Sequence, residues 1–144
     1  MSDLSRCQFS EGSIALPEAY QDRTINVFAS ASGQSPALNI SRDQLKPQQT
    51  LADYVDSQLE LLSQNIKGWK QDDRQTITLG STALPAEQVA ASFLREGRRM
   101  WQLQAVSALP NGQVLVFTLS KTEKISEQDH ALWQRWLASF APQD

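Results

Sequence analysis

Residues 98–121 read RRMWQLQAVSALPNGQVLVFTLSK, two alternating runs joined by Leu109-Pro110-Asn111-Gly112. A period of two marks a half-buried strand, and two such runs across a proline-glycine turn mark a hairpin. Pro110 has no N–H to give a ladder, so a two-residue Asn-Gly turn fits poorly. A type I turn with Pro110 at its second position and Gly112 in the left-handed region fits better. That choice sets Leu109 opposite Gln113, Ala105 opposite Phe117 and Leu103 opposite Leu119. One face of the hairpin then carries Trp101, Leu103, Ala105, Leu115, Phe117 and Leu119, an ordinary core face. The other carries Met100, Gln102, Gln104, Val106, Ala108, Val114, Val116, Thr118 and Ser120, with no charge. A sheet face in water commonly bears lysine and glutamate. The uncharged face is therefore expected to be covered, by a second layer of this chain or by a partner.

The preceding run, residues 86–94, reaches Arg98 through Arg95-Glu96-Gly97. A second type I turn with Gly97 left-handed puts Val89, Ala91 and Phe93 on the core face. Gln88, Ala90 and Ser92 then join the uncharged face. Toward the N-terminus, residues 6–10 and 13–16 suggest a hairpin about Glu11-Gly12, followed by a loop over 17–23. Residues 24–30 and 37–42 read as strands, separated by a polar connection over 30–36. Ile25, Val27 and Ala29 alternate; Leu38 and Ile40 share one face, leaving Ala37, Asn39 and Ser41 on the other.

Thr50 and Asp53 form a capping-box pattern. It opens a helix with Leu51, Val55, Leu59, Leu62 and Ile66 on one stripe, Gln58 at its edge and Gly68 as its end. A strand over 70–79 follows, with a break at Gly80 and Pro85. Ser126 and Asp129 cap a closing helix whose Trp133, Trp136, Leu137 and Phe140 are spaced to pack on a sheet. The order β-β-β-β-α-β-β-β-β-α predicts an α+β fold built on antiparallel strands.

A chain of 144 residues suits a single domain, residues 1–144, with 40% hydrophobic and 20% charged residues. The net charge of −3 argues against a nucleic-acid partner. Arg95, Arg98 and Arg99 around Gly97 are read as solvated. The N-terminus shows no signal peptide and no apolar run is long enough to span a bilayer, so a soluble, cytoplasmic protein is expected. The lone Cys7 excludes an intramolecular disulfide and is read as a small buried thiol. His130 lies on a polar helix face and Asp72-Asp73 at a strand entrance. No zinc spacing, nucleophile motif or phosphate-binding glycine loop is present. The residues point to a binding protein without a cofactor, not an enzyme.

A sheet of five or six strands is roughly 25 Å wide, close to the ~30 Å length of a membrane-spanning helix. A concave, uncharged sheet could shelter such a helix from water, and glutamine can donate and accept hydrogen bonds there without a charge to desolvate. A subunit interface is equally compatible with these residues.

Phe9-Ser10-Glu11-Gly12-Ser13-Ile14, Asp22-Arg23-Thr24-Ile25-Asn26-Val27-Phe28 and Leu38-Asn39-Ile40-Ser41-Arg42 carry a family resemblance. Leu79-Gly80 before Leu84-Pro85-Ala86, Gln102-Leu103-Gln104-Ala105, Val116-Phe117-Thr118-Leu119-Ser120 and Ser139-Phe140 extend it. The chain resembles the Eag proteins, DcrB-like effector-associated chaperones of bacterial type VI secretion. The resemblance implies a PsbP-like fold, with a curved, largely antiparallel sheet and two main helices. It also implies a homodimer that shields the N-terminal transmembrane segments of a toxin effector in the cytoplasm until loading on the secretion spike. Ile25, Val27, Asn39, Ser41, Gln58, Leu62, Gln102 and Gln104 are the expected client contacts. The alternatives are a small-molecule or lipid carrier, and a dimeric structural protein whose uncharged face is buried in its own interface.

Overall fold

A computed structural model describes residues 5–33 and 36–142. Readings that fall on residues 1–4, 34 and 35 lie outside the described residues. The elements are β1 (Ser5–Phe9), β2 (Gly12–Leu16), β3 (Asn26–Phe28), β4 (Ala37–Gln44), α1 (Leu51–Asn65), β5 (Lys70–Leu79), β6 (Leu84–Arg95), β7 (Arg98–Ala108), β8 (Gln113–Lys121) and α2 (Glu127–Ala138). The first two strands form a hairpin of their own. The others form one sheet in the order β3-β4-β8-β7-β6-β5, antiparallel throughout. The α+β order expected from the sequence is the one observed.

The β7–β8 hairpin has the predicted register, with Leu103 opposite Leu119 and Ala105 opposite Phe117. Gly112 is left-handed at φ 86°, and the Leu109 N–H reaches the Gln113 carbonyl at 2.8 Å. The turn between β6 and β7 differs from expectation. Glu96 and Gly97 both take positive φ, 52° and 79°, making a two-residue turn with Arg95 opposite Arg98. Two left-handed residues match the twist of a tight hairpin. The shorter turn shifts β6 by one residue, and a one-residue shift exchanges every side chain between faces. Val89 and Ala91 therefore lie opposite Gln104 and Gln102 on the uncharged face, while Ala90 lies opposite Leu103 on the core face.

That core face packs beneath α2. Leu79, Leu103, Ala105, Phe117, Leu119, Trp133 and Leu137 form one buried cluster. Gln88, expected on the uncharged face, sits here, where its Oε1 accepts from Trp133 Nε1 at 2.8 Å. Trp136 meets Phe117 edge-on at 5.6 Å, and Phe28 of the short edge strand at 6.3 Å. Both predicted capping boxes are present, at Thr50/Asp53 and Ser126/Asp129.

Smaller departures are local. β3 spans three residues where a seven-residue strand was expected, and the first turn falls at Ser10-Glu11. Pro85 lies inside β6, where its carbonyl accepts from Ser107 Oγ at 2.8 Å. α1 ends at Asn65 rather than Gly68, because Ile66 turns extended and the Lys67 carbonyl is taken by Leu94 N–H at 2.9 Å. Asp72 is the extra residue of a bulge in β5. Cys7 is half-exposed rather than buried.

Asp129 links α2 to β8. Its Oδ2 accepts from Ser126 N–H at 2.8 Å and from Lys121 Nζ at 2.7 Å. Burial pushes its carboxyl upward, but the Lys121 and Ser126 hydrogen bonds outweigh that and hold it below its ordinary 3.8. A carboxyl whose folded value is depressed contributes stability that is present above the unfolded value and lost as pH falls through the folded one. Stability should therefore hold down to about pH 4 and fall below it. Asp129→Asn should flatten that acid limb in chemical denaturation curves between about pH 2 and 5.

Candidate functional site

The uncharged face is half covered. α1 lies across it, and Tyr54 and Val55 bury against Val89, Ala91, Val106 and Val114, with Leu51 and Leu59 beside them. The capping box starts the helix where that stripe points at the sheet, so one of the two coverings expected from sequence is realised by the chain itself. Beyond α1 toward the β3–β4 edge the face stays open. A groove with a cavity of about 370 Å³ runs there between the helix and the strands.

Five of the eight expected contact residues line this groove: Ile25, Ser41, Gln58, Leu62 and Gln104. Val27, Asn39 and Gln102 do not line the cavity. By register they continue the same face beyond it, Val27 opposite Asn39, Asn39 opposite Thr118 and Gln102 opposite Ser120. Gln104 Nε2 lies 3.4 Å from Gln102 Oε1, so the two amides form a short polar line leading from the cavity floor along the same face. Ser41 lies opposite Val116, and Val106 and Val89 complete an apolar floor. The outer wall is apolar and bare, Ile25 being 61% exposed and Val27 68%.

One mouth of the groove is charged, which the sequence reading missed. Tyr54 Oη donates to Asp43 Oδ2 at 2.8 Å, and Arg23 approaches the same carboxylate at 3.7 Å. Burial and the Asp43 carboxylate push the Tyr54 phenol well above its ordinary value, so it stays a donor. This knot fastens α1 to β4. Asp43 sits on the uncharged face by alternation from Asn39 and Ser41, a signal open to anyone extending β4 two residues past Arg42. Val89 was missed because of the β6 register.

The groove offers apolar walls, carboxamides and hydroxyls. Among the described residues no three His, Cys, Asp or Glu side chains gather as metal ligands. Among the described residues, no helix is long and apolar enough to cross a membrane. The arrangement suits holding an apolar chain segment that still has backbone carbonyls or small polar groups to satisfy.

Comparison with known proteins gives one family. The DcrB family model matches residues 11–139. Effector EagT6 of Pseudomonas aeruginosa is 30% identical over 135 residues, 92% of each chain. Among solved structures, PA94, a Pseudomonas aeruginosa protein of unknown function, superposes with a TM-score of 0.77 at 27% identity, covering 99% of each chain. The PsbP protein of Synechocystis (CyanoP) superposes with a TM-score of 0.59 at 14% identity, over 93% of this chain and 89% of its own. The fold is therefore PsbP-like, as the resemblance implied.

Proposed function

This chain belongs to the DcrB family, and from that premise we propose that it is an effector-associated chaperone of type VI secretion. Its single DcrB-like domain holds the apolar N-terminal transmembrane segments of a toxin effector in the cytoplasm before the toxin is loaded on the spike. It is a binding protein, not an enzyme, and acts as a homodimer. The similarity to EagT6 supports the effector-associated role. The observation that carries the client is the open half of the uncharged face. There an apolar floor of Val89, Val106 and Val116, the amides of Gln58 and Gln104, and the bare Ile25 form one groove.

Shielding is favourable in proportion to the apolar area removed from water, about 25 cal/mol per Å². A membrane-spanning helix in water exposes enough to make even partial coverage decisive. The groove adds uncharged donors and acceptors where small residues leave a helix backbone accessible. The test is native mass spectrometry of the protein co-expressed, without detergent, with an alanine- and glycine-rich transmembrane segment. A soluble dimer carrying the segment is expected; an empty dimer with precipitated segment would overturn the reading.

Gln102→Glu should leave the fold intact and weaken segment capture about tenfold or more, because an apolar client would have to cover a carboxylate that has no counter-ion. Unchanged recovery in the same assay would remove Gln102 from the site. A cavity of about 370 Å³ also lies within the ~300–1,000 Å³ range of small-molecule sites. That second reading, a lipid or small-molecule carrier, requires a ligand that co-purifies and is displaced by the segment.

A further inference from the structure

The cations of this chain are not evenly used. Arg23 pairs with Asp43, Arg74 with Asp56 and Glu87, and Lys121 with Asp129. Several exposed cations form no ion pair with a carboxylate among the described residues, and three of them are Lys67, Arg95 and Arg98. All three gather at one end of the sheet. Arg95 and Arg98 stand directly opposite each other across the β6–β7 turn, and Leu94 N–H bonds the Lys67 carbonyl. Arg99 adds a fourth charge there, bonded only to neutral acceptors, Gly68 O at 3.1 Å and Ser92 Oγ at 2.9 Å. Glu96, in the turn itself, is the carboxylate nearest in sequence to the pair.

Like charges directly opposed in an antiparallel pair are unfavourable. Here they flank a turn that already places the non-glycine Glu96 at positive φ. The register also places the pair. Alternation along β6 and β7 puts Arg95 and Arg98 on the same face as Ala91 and Gln102, Val89 and Gln104. Arg98 is four residues from Gln102, roughly 13 Å along the strand. The cationic lip thus stands at the end of the groove face opposite the Tyr54–Asp43–Arg23 knot.

We propose that Lys67, Arg95 and Arg98 form a docking lip for an acidic peptide segment, one that flanks the apolar segment held in the groove. The inference rests on the chaperone reading for that continuity, while the lip itself stands on charge and register. Arginine and lysine attract carboxylates across solvent, steering encounter and fixing the direction in which a segment lies. Such an attraction is screened by salt. An overall charge of −3 makes nucleic acid the poorer fit.

The experiment is fluorescence anisotropy of the full chain with a labelled decaglutamate peptide at about 50 mM and 300 mM salt. Decaglutamine and a twelve-residue oligothymidylate serve as comparisons. Decaglutamate is expected to bind at low salt, and at least tenfold more weakly at high salt and to the double variant Arg95→Glu/Arg98→Glu. That variant keeps a like-charge pair across the turn, so its fold is matched; Lys67→Glu gives a second, independent reversal. No decaglutamate binding at low salt, or equal binding by both variants, would overturn the lip. Oligothymidylate binding as tight as decaglutamate would overturn the peptide assignment. The peptide has no apolar segment, so its failure leaves the groove reading standing. Bound decaglutamate with an empty groove would instead sink the chaperone reading, and with it the flanking apolar segment, while the lip itself stands.

Discussion

Trp133→Ala is expected to lower folding stability by about 3–5 kcal/mol, the cost of deleting a fully buried large aromatic. Trp133 is 1% exposed and sits among Leu79, Leu103, Leu119 and Leu137. It also ties α2 to β6 through the Gln88 Oε1 bond. Truncation leaves both a cavity and a half-buried amide oxygen without its donor, and the second adds up to about 1–3 kcal/mol in its own right. Against a total of about 5–15 kcal/mol for an ordinary domain, that is a large share. The melting temperature should fall by about 10 °C or more. Trp133→Phe restores most of the volume but not the N–H, so its loss should be near the hydrogen-bond cost alone. Equal denaturation midpoints for wild type and Trp133→Ala would mean that α2 is not packed as described.

The same link shows where sequence reading stops. The tryptophan stripe of α2 was legible because apolar residues at i, i+3, i+4 and i+7 admit one helix face. Its partner was not, because Gln88 was assigned to the other side of the sheet. The β7–β8 turn could be read from Pro110, which forbids the shorter loop. The β6–β7 turn has no such residue: Arg95-Glu96-Gly97 permits a two- or a three-residue turn, and Glu96 gives no local sign of positive φ. Burial decides instead. With the shorter turn Val89 and Ala91 meet Tyr54 and Val55 of α1, whereas the longer one would leave those apolar residues competing for the α2 side.

The candidate groove was half legible for a related reason. Absence of charge on β7 and β8 marked the face, and Gln104, Ser41 and Ile25 follow from strand alternation. How much of that face α1 covers depends on where the helix crosses the sheet, which the Tyr54–Asp43 bond fixes at one end. Nothing in a helical stripe announces that distance. The arginines at the β6–β7 turn were legible as a cluster, but their opposition and their position in line with the groove required the register.

Ser41→Trp is expected to weaken capture of an apolar segment about a hundredfold while leaving the fold as stable as before, or more so. Ser41 is a half-buried residue on the groove floor, opposite Val116, which in turn faces Val106. An indole there has an open cavity of about 370 Å³ to enter and need not displace the core beneath α2. A tryptophan buries roughly 150–250 Å², and at about 25 cal/mol per Å² the area denied to a client is worth roughly 4–6 kcal/mol. If the client recovers half by shifting along the groove, the remainder still weakens binding by about a hundredfold. Arg135→Glu, an exposed change on α2 across the sheet, should leave capture untouched. The readout is the fraction of segment kept soluble on co-expression, alongside a thermal melt of each variant. A Ser41→Trp protein that melts normally and still carries the segment would place the client elsewhere. A destabilised one would mean that the groove is too narrow to accept the ring, and therefore too narrow for a helix side chain of the same size.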